Sequence, residues 1–156
     1  MKILAIDDSN TMRILIKKTL NELGYTDVTL CESGALAMDI LSNSIFDLVL
    51  LDWHMPGING LEVLKFLKGG KHKDIPVIML TSEQQKVNIV KAIDNGAADY
   101  IIKPLNNRIL QSKIEKIFSQ KDEDAEKPAF EELNDEKPIM PDDDVLKDFF
   151  NKEPPE

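Results

Sequence analysis

Apolar runs of strand length alternate along this chain with stretches whose apolar positions recur every three or four residues. Residues Lys2–Asp7 open the series, with Ile3, Leu4, Ala5 and Ile6 as an unbroken apolar run. Ser9 or Asn10 can cap a helix behind them, in which Met12, Leu15, Ile16, Leu20 and Leu23 recur at helical spacing until Gly24 stops it. Asp27–Glu32 reads as a second strand, where Val28 and Leu30 alternate with Thr29. Alternation marks a strand with one open face and predicts an edge position. A helix from Ser33 to about Ser42 carries Leu36, Ala37, Ile40 and Leu41 on one side. The third strand, Leu48–Leu51 closing on Asp52, is apolar throughout, as in a parallel sheet covered on both faces. A helix over Leu61–Leu67 ends at Gly69-Gly70, and Ile75–Leu80 forms a fourth strand, again continuously apolar. A helix over about Gln85–Asp94 ends at Gly96, Asp99–Lys103 is a short fifth strand, and Asn106 starts a last helix with Ile109, Leu110, Ile114 and Ile117 inward. Five strand–helix repeats with short connections predict an α/β fold, a doubly wound five-stranded parallel sheet with helices on both faces.

Chemistry collects where the strands stop. The first ends on Asp7-Asp8, the third on Asp52, the fourth on Thr81-Ser82 and the fifth on Lys103-Pro104. In an open parallel sheet these ends share one rim, the rim at which ligands bind. Three carboxylates brought together repel and raise one another's pKa unless a cation intervenes. Oxygen donors alone select a hard cation, Mg²⁺ before others. Lys103 adds a compact positive charge and Thr81 a hydroxyl, partners for the oxygens of a phosphoryl group. Asp52, delivered by a buried strand to a Pro-Gly loop, takes the remaining role of oxygen nucleophile. Each residue also has an ordinary reading: Asp7 or Asp8 as a helix cap, Thr81 as a strand-end cap, Lys103 as a solvated charge. Four separate strand ends supplying the whole set argue against chance.

Composition narrows the classes. With 156 residues and 42% hydrophobic content, the chain holds one domain of ordinary size plus an appendage. No apolar run approaches the roughly 20 residues of a membrane span, and the N-terminal run is too short for a signal peptide. The single Cys31 excludes an intramolecular disulfide and suits a small core position at a strand end, so a cytoplasmic protein is expected. Residues 1–118 carry 14 basic and 14 acidic side chains, and residues 119–156 carry 5 and 14, so the net charge of −9 lies wholly in the tail. A neutral body with an acidic tail offers nucleic acid no footprint.

Four stretches carry a family likeness: AIDDSNTMR, LLDWHMPGINGLEVLK, VIMLTSE and NGAADYIIKPLNNRILQSKIEKIF. Over residues 1–118 the chain resembles the response-regulator receiver domains, and among them the single-domain chemotaxis regulators. The resemblance implies a flavodoxin-like strand order 2-1-3-4-5, which agrees with an edge position for the second strand. It implies that Asp52 accepts a phosphoryl group from a histidine kinase. Asp8, Asp52 and the backbone carbonyl of His54 would hold Mg²⁺, with Asp7 acting through water. Thr81 and Lys103 would contact the phosphoryl oxygens, Tyr100 would be the switch aromatic, and the Lys103–Pro104 bond would be cis. The implied output is a change in partner binding in a monomer, toward a target such as the flagellar motor switch and with a phosphatase as a further partner. The alternative output is a phosphorelay outside chemotaxis. His54 is either an exposed rim residue or a gate on water access, and His72, in the polar loop GGKHKD, is expected in solvent. Asn59 stands where many relatives carry Asp.

Other classes fit less well. A phosphohydrolase of the haloacid-dehalogenase type wants a second acid two residues beyond the nucleophile, where His54 stands. Flavin binding needs a phosphate-cradling loop after the first strand, and two carboxylates there would repel the phosphate. A phosphorylation-independent adaptor would have little use for the complete five-residue set.

The tail stands outside the likeness. Lys121–Pro138 is rich in Glu, Asp, Lys and Pro, a composition that does not bury enough surface to order itself, so a largely disordered segment is expected. Within residues 142–152, Val145, Leu146, Phe149 and Phe150 would share one helix face behind Asp142–Asp144. This segment is either a docking helix, expected on the surface of the fourth helix, fifth strand and fifth helix, or a solubilising appendage.

Overall fold

Three of the predicted strands are apolar without interruption, and these three fill the middle of the sheet. The computed structural model describes residues 1–82 and 86–124. The docking segment 142–152, with Val145, Leu146, Phe149 and Phe150, lies outside the described residues, as does the expected helix start at Gln85. The elements run β1 (Lys2–Ile6), α1 (Asn10–Glu22), β2 (Asp27–Cys31), α2 (Gly34–Asn43), β3 (Leu48–Asp52), α3 (Gly60–Lys68), β4 (Val77–Thr81), α4 (Lys86–Asp94), β5 (Asp99–Ile102) and α5 (Asn107–Asp124). All pairings are parallel, in the order β2-β1-β3-β4-β5. β3 and β4 are buried at every position, whereas β2 and β5, at the edges, are partly exposed. Helices on both faces explain why the central strands need no polar side.

Local signals set the helix ends. The Ser9 and Ser33 hydroxyls accept from the backbone N–H of Met12 and Leu36, capping α1 and α2. Asn59 and Glu62 form a reciprocal capping box on α3, so Asn59 serves as its cap. Asn106 Oδ1 accepts from Arg108 and Ile109 at the start of α5.

One inward assignment needs correction. Ile109 is exposed, as are Leu15 and Leu36 of the other apolar stripes, because the sheet takes a narrower stripe of each helix than its full apolar set. Ile16 and Leu20, Ala37 and Leu41, and Leu110 and Ile114 are the residues that reach the core. β4 begins at Val77 instead of Ile75: Pro76 has no N–H to give the ladder, although its carbonyl accepts from Val49 at 3.0 Å. His72 is half-buried where the polar loop had suggested full exposure. Cys31 is buried at the end of β2, as expected. The chain divides into two units, Met1–Ile117 and Phe118–Glu156, and the first holds all five strands.

Candidate functional site

Because the strands are parallel, β1, β3, β4 and β5 deliver Asp7, Asp52, Thr81 and Lys103 to the same edge of the sheet. Asp52 is the last residue of β3, paired in register with Leu80, and Thr81 is the last of β4, paired with Ile102. Asp7 is fully buried, Asp52 and Thr81 are 3% exposed, and Asp8 is exposed. One carboxylate oxygen from each of Asp7, Asp8 and Asp52 lies within 4.8 Å of the other two. Lys103 Nζ donates to Asp7 Oδ2 at 2.9 Å and to Asp52 Oδ1 at 3.2 Å, so one ammonium bridges two buried acids. The Lys103–Pro104 bond is cis.

Burial and the neighbouring Asp7 charge push the Asp52 carboxyl up to about 6, against the opposing pull of Lys103. Burial draws the Lys103 ammonium down, but its hydrogen bond to Asp7 and the charges of Asp52 and Asp7 outweigh this and leave it raised. The lysine therefore stays charged while Asp52 keeps an unrelieved share of repulsion. An all-oxygen cluster with that residual repulsion fits a hard divalent cation.

The loop after β3 shapes the approach. Asp8, Trp53, His54, Met55, Pro56, Gly57 and Asn59 line an open cleft of about 490 Å³ beside the acids. Trp53 and Met55 turn inward, and His54 is exposed on the rim. Gly57 takes a left-handed φ of 76° that only glycine adopts without strain. Gly60 N–H donates to Trp53 O at 2.9 Å, and a Cβ at Gly60 would collide with the backbone of Asp52 and Trp53. Tyr100 lies apart from the acids, half-buried on β5 beside Met79, with Lys113 Nζ 5.0 Å from its ring centre.

Two contributors escape a reading of the sequence. Arg13, on α1, donates from Nη1 to Asp7 O at 2.8 Å, and the Ser9 N–H donates to Asp7 Oδ1 at 2.9 Å. An arginine on an amphipathic helix reads as a solvated charge, and only the return of α1 over the β1 loop reveals its target.

Residues 3–115 match the family model described as the response regulator receiver domain. The chain belongs to that family. It is 38% identical over 121 residues to the chemotaxis protein CheY of Pseudomonas aeruginosa, covering 77% of this chain and 98% of the relative. It is 41% identical over 120 residues to a CheY homologue of Campylobacter jejuni, covering 76% and 92%. Among solved structures, the CheY4 chemotaxis protein of Vibrio cholerae superposes with a TM-score of 0.68 at 29% identity, covering 74% of this chain and 97% of that one. This receiver domain is thus homologous to CheY chemotaxis regulators. Receiver domains typically depend on Mg²⁺, and the cluster of Asp7, Asp8 and Asp52 could hold such a cation. Among the described residues, no helix is long and apolar enough to cross a membrane.

Proposed function

We propose that residues 1–118 form a phosphoryl-accepting switch of a two-component system, followed by the acidic tail, and that its output lies in chemotaxis, toward a target such as the flagellar motor. The observation that carries this reading is Asp52: a carboxylate 3% exposed at the end of a central strand, with a lysine at 3.2 Å and two further acids within 4.8 Å.

Asp52 Oδ attacks the phosphorus of a kinase phosphohistidine; the new P–O bond forms as the P–N bond breaks, and the imidazole leaves with the electron pair and takes up a proton. Asp8, Asp52 and the His54 backbone carbonyl would hold Mg²⁺, and Asp7 would act through water. The bound cation supplies charge neutralisation among the acids and on the transferring group. Lys103 turns from bridging Asp7 and Asp52 to meeting a phosphoryl oxygen. Thr81 meets another, and its movement leaves Tyr100 room to turn inward on β5. The chain acts as a regulated phosphoacceptor, with a histidine kinase upstream, a target protein downstream and a phosphatase as a further partner.

The test is labelling by acetyl phosphate, followed by intact mass. The wild type with Mg²⁺ should gain one phosphoryl group, and Asp52→Asn or added chelator should abolish the gain. Full labelling of Asp52→Asn would sink the assignment.

A further inference from the structure

Arg13 occupies a place that helix electrostatics disfavours. It lies at the end of the first turn of α1, where the partial positive charge of the helix terminus disfavours a cation, and no acidic residue of that turn offsets it. Its guanidinium folds back instead, with Nη1 donating to Asp7 O at 2.8 Å and Nη2 to Asn10 Oδ1 at 3.3 Å.

The carbonyl it grips belongs to the peptide that joins the two acids. That unit is planar, so holding the Asp7 oxygen also sets the Asp8 N–H and the direction in which the Asp8 side chain departs. Asp7 has its own restraints: its N–H donates to Cys31 O at 3.0 Å, and its two carboxylate oxygens accept from Ser9 N–H and Lys103 Nζ. Asp8 is exposed, and the backbone must aim it.

We propose that Arg13 is a positioning residue for the cation site: by clamping the Asp7–Asp8 peptide it keeps the Asp8 carboxylate in register with Asp7 and Asp52. The proposal rests on the reading of the acid cluster as a Mg²⁺ site. It has a sign that charge alone does not have. A positive group beside a cation site weakens binding, so its removal would tighten Mg²⁺ if electrostatics decided the outcome. Loss of the clamp loosens Asp8 and weakens Mg²⁺. Outer partners of metal ligands commonly contribute 10- to 100-fold in affinity, and a clamp acting through one peptide belongs near the lower figure, roughly tenfold.

The experiment titrates Mg²⁺ into the full-length wild type, Arg13→Gln and Arg13→Lys, followed by fluorescence of Trp53, the one tryptophan of the chain, and by calorimetry. Melting temperatures without added cation check that each variant is folded. Arg13→Gln is expected to bind Mg²⁺ about tenfold more weakly. Arg13→Lys, which keeps the charge but loses the two-pronged donor, is expected to fall between it and the wild type. Unchanged or tighter binding by folded Arg13→Gln overturns the proposal. If Arg13→Gln does not fold, Arg13→Lys decides alone, and an unchanged dissociation constant overturns the proposal. A wild type with no saturable Mg²⁺ response removes the cation site itself, an outcome distinct from a wild type that binds and a variant that binds equally well.

Discussion

Asp52 is held in a fold that disfavours its charged form, and this gives the free receiver a specific dependence on pH. Its carboxyl is raised from 3.8 to about 6 by burial and by Asp7. A raised pKa in the fold means that its stabilising contribution is complete below about 4 and is lost as pH rises through 6. Above that, the ionised group costs the cation-free protein on the order of 3 kcal/mol, two pK units at about 1.4 kcal/mol each. Asparagine fills the same space without the charge. In chelator, Asp52→Asn should therefore be more stable than the wild type by up to about 3 kcal/mol above pH 6, with the gap closing toward pH 4. Urea melts across that range would measure it, and addition of Mg²⁺ should narrow it, since the cation favours the wild type's charged state. A gap independent of pH would mean that the difference comes from packing, not from the charge.

At the scale of elements, the site depends on how closely α3 returns to the end of β3. Glycine in a helix normally yields 0.5–1 kcal/mol when replaced by alanine. Gly60, the first residue of α3, should do the reverse, because a Cβ there meets the backbone of Asp52 and Trp53. Gly60→Ala should lose about 1–3 kcal/mol in thermal or urea melts and should slow acetyl phosphate labelling by displacing the nucleophile. A stabilised, normally labelled variant would show that the loop yields freely. The same element marks the limit of the sequence reading. Strand ends bring Asp7, Asp52, Thr81 and Lys103 to one rim by parallel topology alone, so their convergence was legible from alternation and runs. The closeness of Gly60 to Asp52 and the reach of Arg13 to Asp7 O are distances between elements, which periodicity does not encode. Ile109 failed as an inward residue for the same reason, and Leu15 and Leu36 show it too: an apolar position at helical spacing is not thereby turned toward the sheet.

At the scale of the molecule, the proposed switch requires that a change at Asp52 reach Tyr100 through β4 and β5. Thr81 closes β4 beside Asp52, its carbonyl accepts from the Lys103 N–H at 2.7 Å, and Tyr100 lies one strand over, half-buried. The proposed phosphorylation of Asp52 would add roughly 1.5 to 2 negative charges at this rim, judged from other phosphoresidues. A hydrogen bond from the Thr81 hydroxyl to a charged phosphoryl oxygen contributes about 1.5–3 kcal/mol, enough to shift a two-state equilibrium about 10- to 100-fold. In the proposed switch that interaction is made to the phosphorylated product, so its loss should weaken the switch more than the chemistry. Thr81→Ala should thus label with acetyl phosphate nearly as well as the wild type. Its amide chemical shifts should respond around Asp52 as before, while the responses at Tyr100 and along residues 107–117 of α5 shrink as the equilibrium moves away from the switched state. Responses at Tyr100 as large as in the wild type would place the transmitter elsewhere, with Lys103 the next residue to substitute, because it bridges the acids of β1 and β3 from the end of β5.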